Sequence, residues 1–486
     1  MKSKTSDQSI GLQLEAQQAK LLKTPISQPS PIWSSKRFLV ALLMAMCHLN
    51  SAFSRNNISI ALIEMTYPKE IRDGNTTKIQ PPEFYWDSTT IGLTLSIFYY
   101  GGLVSILGSY FVSRIGGATF CVLTTMSSGI ITILHPITLQ YSFFLFLVCR
   151  FLVGISECLL NISITEVSSQ WTPKNERSKL TAISEAGINV GVAIVHGVCA
   201  FVAHYWGWQM IFYVTGSISL ITSSVCFIFV KNRPSDDKRI SKEELMYIQE
   251  RTANSTKKQV KHPYWKIISS PVIWALLVDK FAMMAAMTFI GTFLPMYVKD
   301  ITNKDIKEVG IISSIPNAVI IFMLPICGIL LDYGKSNSIS ETLMHKILIG
   351  GSFILTGILF ASAAMISNFT VSIISFILIQ TFQFIVAMVS QIILISIAPN
   401  SSSIIAGLST VVTALSSIGT RNTIASMTTD HTLEEWDHCI LIMSGISLLG
   451  GVFFILCGSS ETQPWSIASS YDQDDQKTQT DTKLTK

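Results

Sequence analysis

The sequence predicts an all-α membrane protein of twelve transmembrane helices in two six-helix halves. Three observations carry this prediction. Of 486 residues, 49% are hydrophobic and only 14% charged, where a soluble domain carries about 25% charged residues. Twelve apolar runs between residues 38 and 458 are each long enough to cross a hydrocarbon core of about 30 Å as a helix. One long polar stretch, residues 232–266, divides those runs six and six.

The runs lie near 38–65, 89–112, 117–138, 142–166, 180–203 and 208–231, then near 270–297, 307–331, 344–366, 369–398, 402–426 and 436–458. The expected organisation is an N-terminal tail at 1–37, one half at 38–231, a linker at 232–266, a second half at 267–458 and a C-terminal tail at 459–486. Residues 1–37 are polar and lysine-bearing, with no short apolar core followed by a cleavage site. No removable signal peptide is therefore expected, and the first span acts as the signal anchor. The tail "YDQDDQKTQTDTKLTK" is polar enough to be read as disordered.

With the N-terminus in the cytosol and sides alternating, 25 of the 35 lysines and arginines fall in cytosolic segments, six in outer loops and four in the spans. The positive-inside rule supports that orientation, with both termini cytosolic. The net charge of +4 then reflects topology. The basic linker reads as a solvated cytosolic face in preference to a lipid or nucleic-acid contact, so no nucleic-acid partner is expected. Sequons at Asn75 and Asn368 fall in outer loops and are glycosylation candidates, whereas Asn254 falls inside.

A six-plus-six pattern suggests halves related by an internal repeat, as in secondary transporters. "GSYFVSRIGG" after the second span and "GILLDYGKS" after the eighth, beginning at Gly108 and Gly328, echo one another. Nine cysteines are scattered without a CxxC pair or a cysteine/histidine cluster, which argues against a structural zinc site, and no cofactor is expected. GxxxxGK[ST], HExxH and GxSxG are all absent, so ATP-driven transport and these hydrolytic chemistries lose support.

Charges inside apolar spans are the informative residues, because burying them is costly and they usually mark substrate or ion pathways. In the fourth span Arg150, Gly154, Glu157 and Asn161 recur at helical spacing and share one stripe. Arg150 and Glu157 lie about 10 Å apart along the axis, a separation suited to lining one cavity. The bland alternative is an interhelical ion pair or an arginine reaching the interface. In the first span His48, Ser51, Arg55 and Ser59 form a similar stripe; His48 reads more readily as a hydrogen-bonded packing residue than as a proton relay. Asp279 and Lys280 read as a local pair, Arg421 as an outward-snorkelling side chain, and Glu185 and His196 as weaker candidates. Gln380, Gln383 and Gln391 give the tenth span a polar edge, explained by a pore lining or by helix–helix hydrogen bonds.

The motifs "SRNNISIALIEM", "WDSTTIGL", "CRFLVGISE", "WTPKNERSKL", "GWQMIFYVTG", "SSPVIWALL" and "ISIAPNSSSIIAGL", taken in order and spacing, resemble the anion-transporter branch of the major facilitator superfamily. That branch includes sialin, the vesicular glutamate transporters and the type I sodium/phosphate cotransporters. The resemblance runs from about residue 38 to 465. It implies the major facilitator fold. It also implies an anion-transport role for Arg55 and Arg150, and a role in proton coupling or transport for Glu157. The chain departs from the family pattern at Leu95, Val153 and Met283, and in "ILISIAP", where the common motif has an asparagine and an aspartate.

The expectation is a secondary active transporter of small anions, organic or phosphate, working by alternating access and coupled to a proton or sodium gradient. Arg55 and Arg150 would bind substrate and Glu157 would couple protons; His48, Ser51, Ser59, Asn161, Gln380 and Gln383 are candidate cavity-lining residues. An uncoupled anion uniporter, a channel and a non-transporting anion sensor are the alternatives. The expected partners are the small anion and the lipid bilayer, the chain functioning as a monomer. Its place is the plasma membrane or a vesicular or lysosomal membrane.

Overall fold

The computed structural model describes residues 32–73, 76–104, 112, 114–173, 176–252, 264–320, 340–366, 368–398 and 402–463. The N-terminal half contains α1 (Lys36–Thr66), α2 (Ser88–Val104), α3 (Gly117–Tyr141), α4 (Phe143–Trp171), α5 (Arg177–Trp206) and α6 (Trp208–Phe229). The C-terminal half contains α7 (Pro271–Thr302), α8 (306–320), α9 (Glu341–Met365), α10 (Phe369–Ile397), α11 (Ser402–Met427) and α12 (Leu433–Cys457). Ten of these helices are long and apolar enough to span a bilayer. The other two, α2 and α8, stand where the second and eighth spans are expected and run up to residues outside the described set. Gly108, Gly328, Asn75 and Asn254 also lie outside it.

Large apolar side chains such as Ile221, Phe227, Leu449 and Leu456 are exposed on α6 and α12. Lipid is the solvent such faces require, because hydrocarbon exposes no hydrogen-bonding partner and tolerates only self-satisfied helical backbone. The all-helical expectation needs one amendment. Between α1 and α2, Lys69–Asp73 and Thr76–Gln80 pair as an antiparallel hairpin, in register from Lys69 with Gln80 to Asp73 with Thr76. This "hairpin end" of the molecule lies opposite the "linker end", where residues 232–266 connect the halves.

Small residues set how closely the helices approach. A methyl group on Gly154 in α4 would come within 1.9 Å of the Phe98 carbonyl oxygen in α2, and one on Gly187 in α5 within 1.9 Å of the Ala45 carbonyl oxygen in α1. Close backbone contact of this kind is how helices associate where apolar burial gives no net drive. It presses α4 against α2, and α1 against α5, with the stripes bearing Arg150 and Arg55 held at the centre of the molecule.

Packing differs between the two ends. At the hairpin end one apolar cluster unites both halves, from Ile60, Leu62 and Met65 of α1 to Phe289, Tyr297, Phe360 and Trp436 of the C-terminal half. Toward the linker end the clusters separate. One, with Met44, Cys121, Leu160 and Trp171, belongs to the N-terminal half; the other, with Leu276, Phe353, Val389 and Ile405, belongs to the C-terminal half. The halves are thus joined at one end and independently packed at the other. At the linker end Arg37 pairs with Glu176 and with Glu244 of the linker helix Lys242–Thr252, and Lys36 with Asp237. These pairs tie the linker to the N-terminal half.

Candidate functional site

A cavity of about 220 Å³ opens between the halves, walled by α1, α2 and α4 on one side and by α7 and α11 on the other. Arg55, Tyr99, Glu157 and Asn161 line the first wall; Met284, Thr410, Thr413 and Ser417 line the second. Arg55 is half-buried with its Nε enclosed and unpartnered, and among the described residues no carboxylate pairs with it.

Arg150 lies just behind the lining and is 1% exposed. Its Nη1 donates to the carbonyl of Ser54 at 3.2 Å, its guanidinium carbon lies 5.5 Å from the centre of the Phe98 ring, and its Nε has no partner. The Ser54 contact joins α4 to the turn of α1 that carries Arg55, so the two cations are set by one backbone junction. Glu157 is buried; its Oε1 accepts from Ser128 Oγ at 2.7 Å and its Oε2 is unpartnered. Asn161 Nδ2 donates to the Glu157 backbone carbonyl one turn earlier at 3.0 Å. The α4 stripe therefore faces the cavity at Gly154, Glu157 and Asn161.

Other candidates stand elsewhere. His48 Nδ1 donates to the Ser184 carbonyl at 2.9 Å, sealing α1 to α5. Ser51 and Ser59 are buried within the N-terminal half, outside the cavity lining. Gln380 Nε2 donates to Asn317 Oδ1 at 3.0 Å, and Gln383 Nε2 to Thr356 Oγ1 at 3.3 Å. Their amide nitrogens fasten α10 to α8 and α9, while their Oε1 atoms are buried without a partner among the described residues and Gln391 is exposed. Asn368 is exposed and caps α10, its Oδ1 accepting from the backbone of Thr370 and Val371.

Arg421 corrects its sequence reading. It does not snorkel: it is 3% exposed, with Nη2 2.8 Å from both Tyr99 Oη and Thr292 Oγ1, and Nη1 3.1 Å from the Ser417 carbonyl and 3.3 Å from Thr288 Oγ1. Its guanidinium stacks 4.0 Å from the Tyr99 ring centre. Tyr99 and the α7 threonines escaped the sequence reading because neutral hydroxyls in an apolar run look like packing residues. The usable signal was an arginine in the middle of a span.

Toward the hairpin end the halves close on one another. Ser88 Oγ donates to the Thr428 carbonyl at 2.9 Å, His204 Nδ1 lies 2.9 Å from Asp305 Oδ2, and His196 Nε2 donates to the Gly291 carbonyl at 3.0 Å. His431 Nδ1 stands 3.1 Å from Asp300 Oδ2 and 3.2 Å from Tyr67 Oη at the end of α1. The hydrogen bond to Asp300 holds the His431 imidazole above its ordinary pKa, burial opposing it.

Comparison with known proteins agrees with this architecture. The model of the Major Facilitator Superfamily matches residues 44–420. Vesicular glutamate transporter 2.2 of Danio rerio is 26% identical over 452 residues, covering 91% of this chain and 77% of that protein. Sialin of Homo sapiens is 25% identical over 465 residues, covering 91% and 93%. Among solved structures, a bacterial homologue of the human lysosomal transporter Spinster, inward-facing and unoccupied, superposes with a TM-score of 0.69 at 12% identity, covering 88% of this chain and 98% of that one. A D-xylose–proton symporter superposes at 0.65 with 15% identity, covering 88% and 99%.

Proposed function

The chain belongs to the Major Facilitator Superfamily, and from that premise we propose that it is a secondary transporter carrying a small anion through the cavity between its halves. The observation that carries this reading is the pair of arginines, Arg55 and Arg150, held at mid-membrane without a carboxylate partner among the described residues. A buried guanidinium is costly unless something negative approaches it. Arg150 of α4, anchored on the Ser54 carbonyl, and half-buried Arg55, the next residue of α1, form a donor array suited to a carboxylate or phosphate. The vesicular glutamate transporter and sialin among the relatives support an anionic cargo.

The form described is closed at the hairpin end and separately packed at the linker end. With lysine and arginine concentrated on the linker side, that end is cytosolic and the form is inward-facing. Transport follows from rocking the halves so that the hairpin-end contacts break and new ones form across the linker end, while the arginines stay at the pivot. Glu157 is the coupling group of this proposal. One of its oxygens is held by Ser128 and the other is free beside the cavity, so a proton carried there cancels a charge next to the passenger. A single chain encloses the cavity, so the monomer is the working unit. The vesicular membrane named by the relatives is the first place to look for it.

The test is flux into proteoliposomes containing the full chain under imposed proton, sodium and voltage gradients. Saturable anion uptake that responds to a proton gradient is the expected result, and a response to sodium alone would reassign the coupling ion. Current without saturable exchange, or anion binding without flux, would replace the carrier reading with a channel or a sensor.

A further inference from the structure

We infer that Arg421 is a second anion-binding point, supplied by the C-terminal half, and that the cavity selects small organic anions with two separated carboxylates over those with one. This rests on the anion-carrier reading above and adds a cargo class to it.

The geometry begins with α7, whose helix widens to a π-helical turn over Phe289–Phe293, a distortion common at functional sites. Thr288 and Thr292 flank and enter that turn, and both present hydroxyls to Arg421. Tyr99, across the interface on α2, presents a third. Among the described residues the acceptors on Arg421 are thus all neutral, and those three hydroxyls keep their own protons to donate. Tyr99 and Ser417, two of the groups that hold Arg421, also line the cavity. A carboxylate arriving at that wall meets a guanidinium and hydroxyl donors already in place, and the ion-pair bonds it forms are stronger than the guanidinium bonds to neutral hydroxyls that they displace.

The charge inventory sets the cargo. Around the cavity, among the described residues, Arg55, Arg150 and Arg421 stand against one carboxylate, Glu157, and the guanidinium charges of Arg55 and Arg150 each act on Arg421. The other buried charges at this depth, Asp279 and Lys280, are neighbours on α7 that offset one another. Three cationic side chains against one carboxylate leave a positive excess that favours a dianion over a monoanion. The positive groups are also distributed, with Arg55 on the wall of one half and Arg421 behind that of the other, so two separated acidic groups match them better than one compact anion. A volume of about 220 Å³ holds roughly seven waters, or one small organic ion in their place. A ligand touching both halves also links binding to their relative movement.

The experiment compares the affinities of the purified full chain in lipid nanodiscs for succinate, butyrate and inorganic phosphate. The wild type is expected to bind succinate about tenfold more tightly than butyrate, with phosphate weaker than succinate. In Arg421→Gln the succinate-to-butyrate ratio falls to near one because succinate loses far more affinity than butyrate, a pattern that simple loss of packing, which weakens both alike, would not give. Arg421→Lys keeps the charge without the fork and is expected to give an intermediate ratio; it carries the test if the glutamine variant does not fold. Equal binding of succinate and butyrate by the wild type, tighter binding of phosphate, or an unchanged ratio in both variants overturns the inference while leaving an anion carrier intact. Failure of all three anions to bind, together with no anion uptake in proteoliposomes, overturns both.

Discussion

Arg37 at the linker end and Arg150 at mid-membrane are equally buried, each 1% exposed, and are treated in opposite ways. Arg37 has two carboxylates, Glu176 at 2.6 Å and Glu244 at 3.2 Å, and its guanidinium carbon lies 5.0 Å from the Tyr247 ring centre. Arg150 has a backbone carbonyl and the Phe98 ring. The first arrangement is complete, clamping α1, the loop before α5 and the linker helix into one unit. The second has no negative partner among the described residues and stands beside a cavity open to one. Burial alone therefore does not separate a structural charge from a functional one; the charge of its partners does.

The comparison breaks most readily at Arg150. Arg150→Gln should lower anion uptake about a hundredfold, the scale for losing a buried charge contact made in binding. Its melting temperature should stay within about 2 °C of wild type, because no ion pair is broken. Arg37→Gln should do the reverse. Leaving Glu176 and Glu244 without their cation costs about 3 kcal/mol, read as a lower melting temperature, while uptake per folded molecule stays within about twofold of wild type. A stable Arg37 variant, or an Arg150 variant that unfolds yet transports, would erase the distinction.

Glu157→Gln sharpens the account within the functional region. It should abolish the response of uptake to an imposed pH gradient while leaving anion exchange at symmetric pH measurable, as followed by isotope counterflow. The smallest effect is expected at the hairpin end. Because Asp300 raises the pKa of His431, the imidazolium pair stabilises closure fully below the ordinary histidine pKa of about 6.5 and loses that contribution as pH rises through the higher folded value. Partly exposed, the pair should contribute under about 1 kcal/mol. Hydrogen exchange in residues 428–433 should accelerate modestly between those limits in the wild type, and less in His431→Gln.

Much of this was legible before any coordinates. Hydropathy marked the spans because a bilayer demands about twenty apolar residues from each helix, and Arg55, Arg150 and Glu157 stood out because charge inside such runs is rare. What a single helix cannot reveal is which neighbour its polar face meets. Gln380 and Gln383 face α8 and α9, and nothing in the tenth span distinguishes that from facing a pore. Arg421 lies six residues before the end of α11, near enough to that end to suggest snorkelling; only the positions of Tyr99, Thr288 and Thr292 show why it stays. The hairpin at 69–80 went unread because "KEIRD" and "TTKIQ" are short and polar, and their pairing is a property of two segments together.

The most direct measurement of the central claim is anion-dependent thermal stabilisation of the purified chain, wild type beside Arg55→Gln and Arg150→Gln, across a panel of small carboxylates and phosphate. A passenger that neutralises those guanidinium groups should raise the melting temperature of the wild type in a saturable way and leave both variants unmoved. Equal stabilisation of all three proteins would place the anion elsewhere and contradict the account.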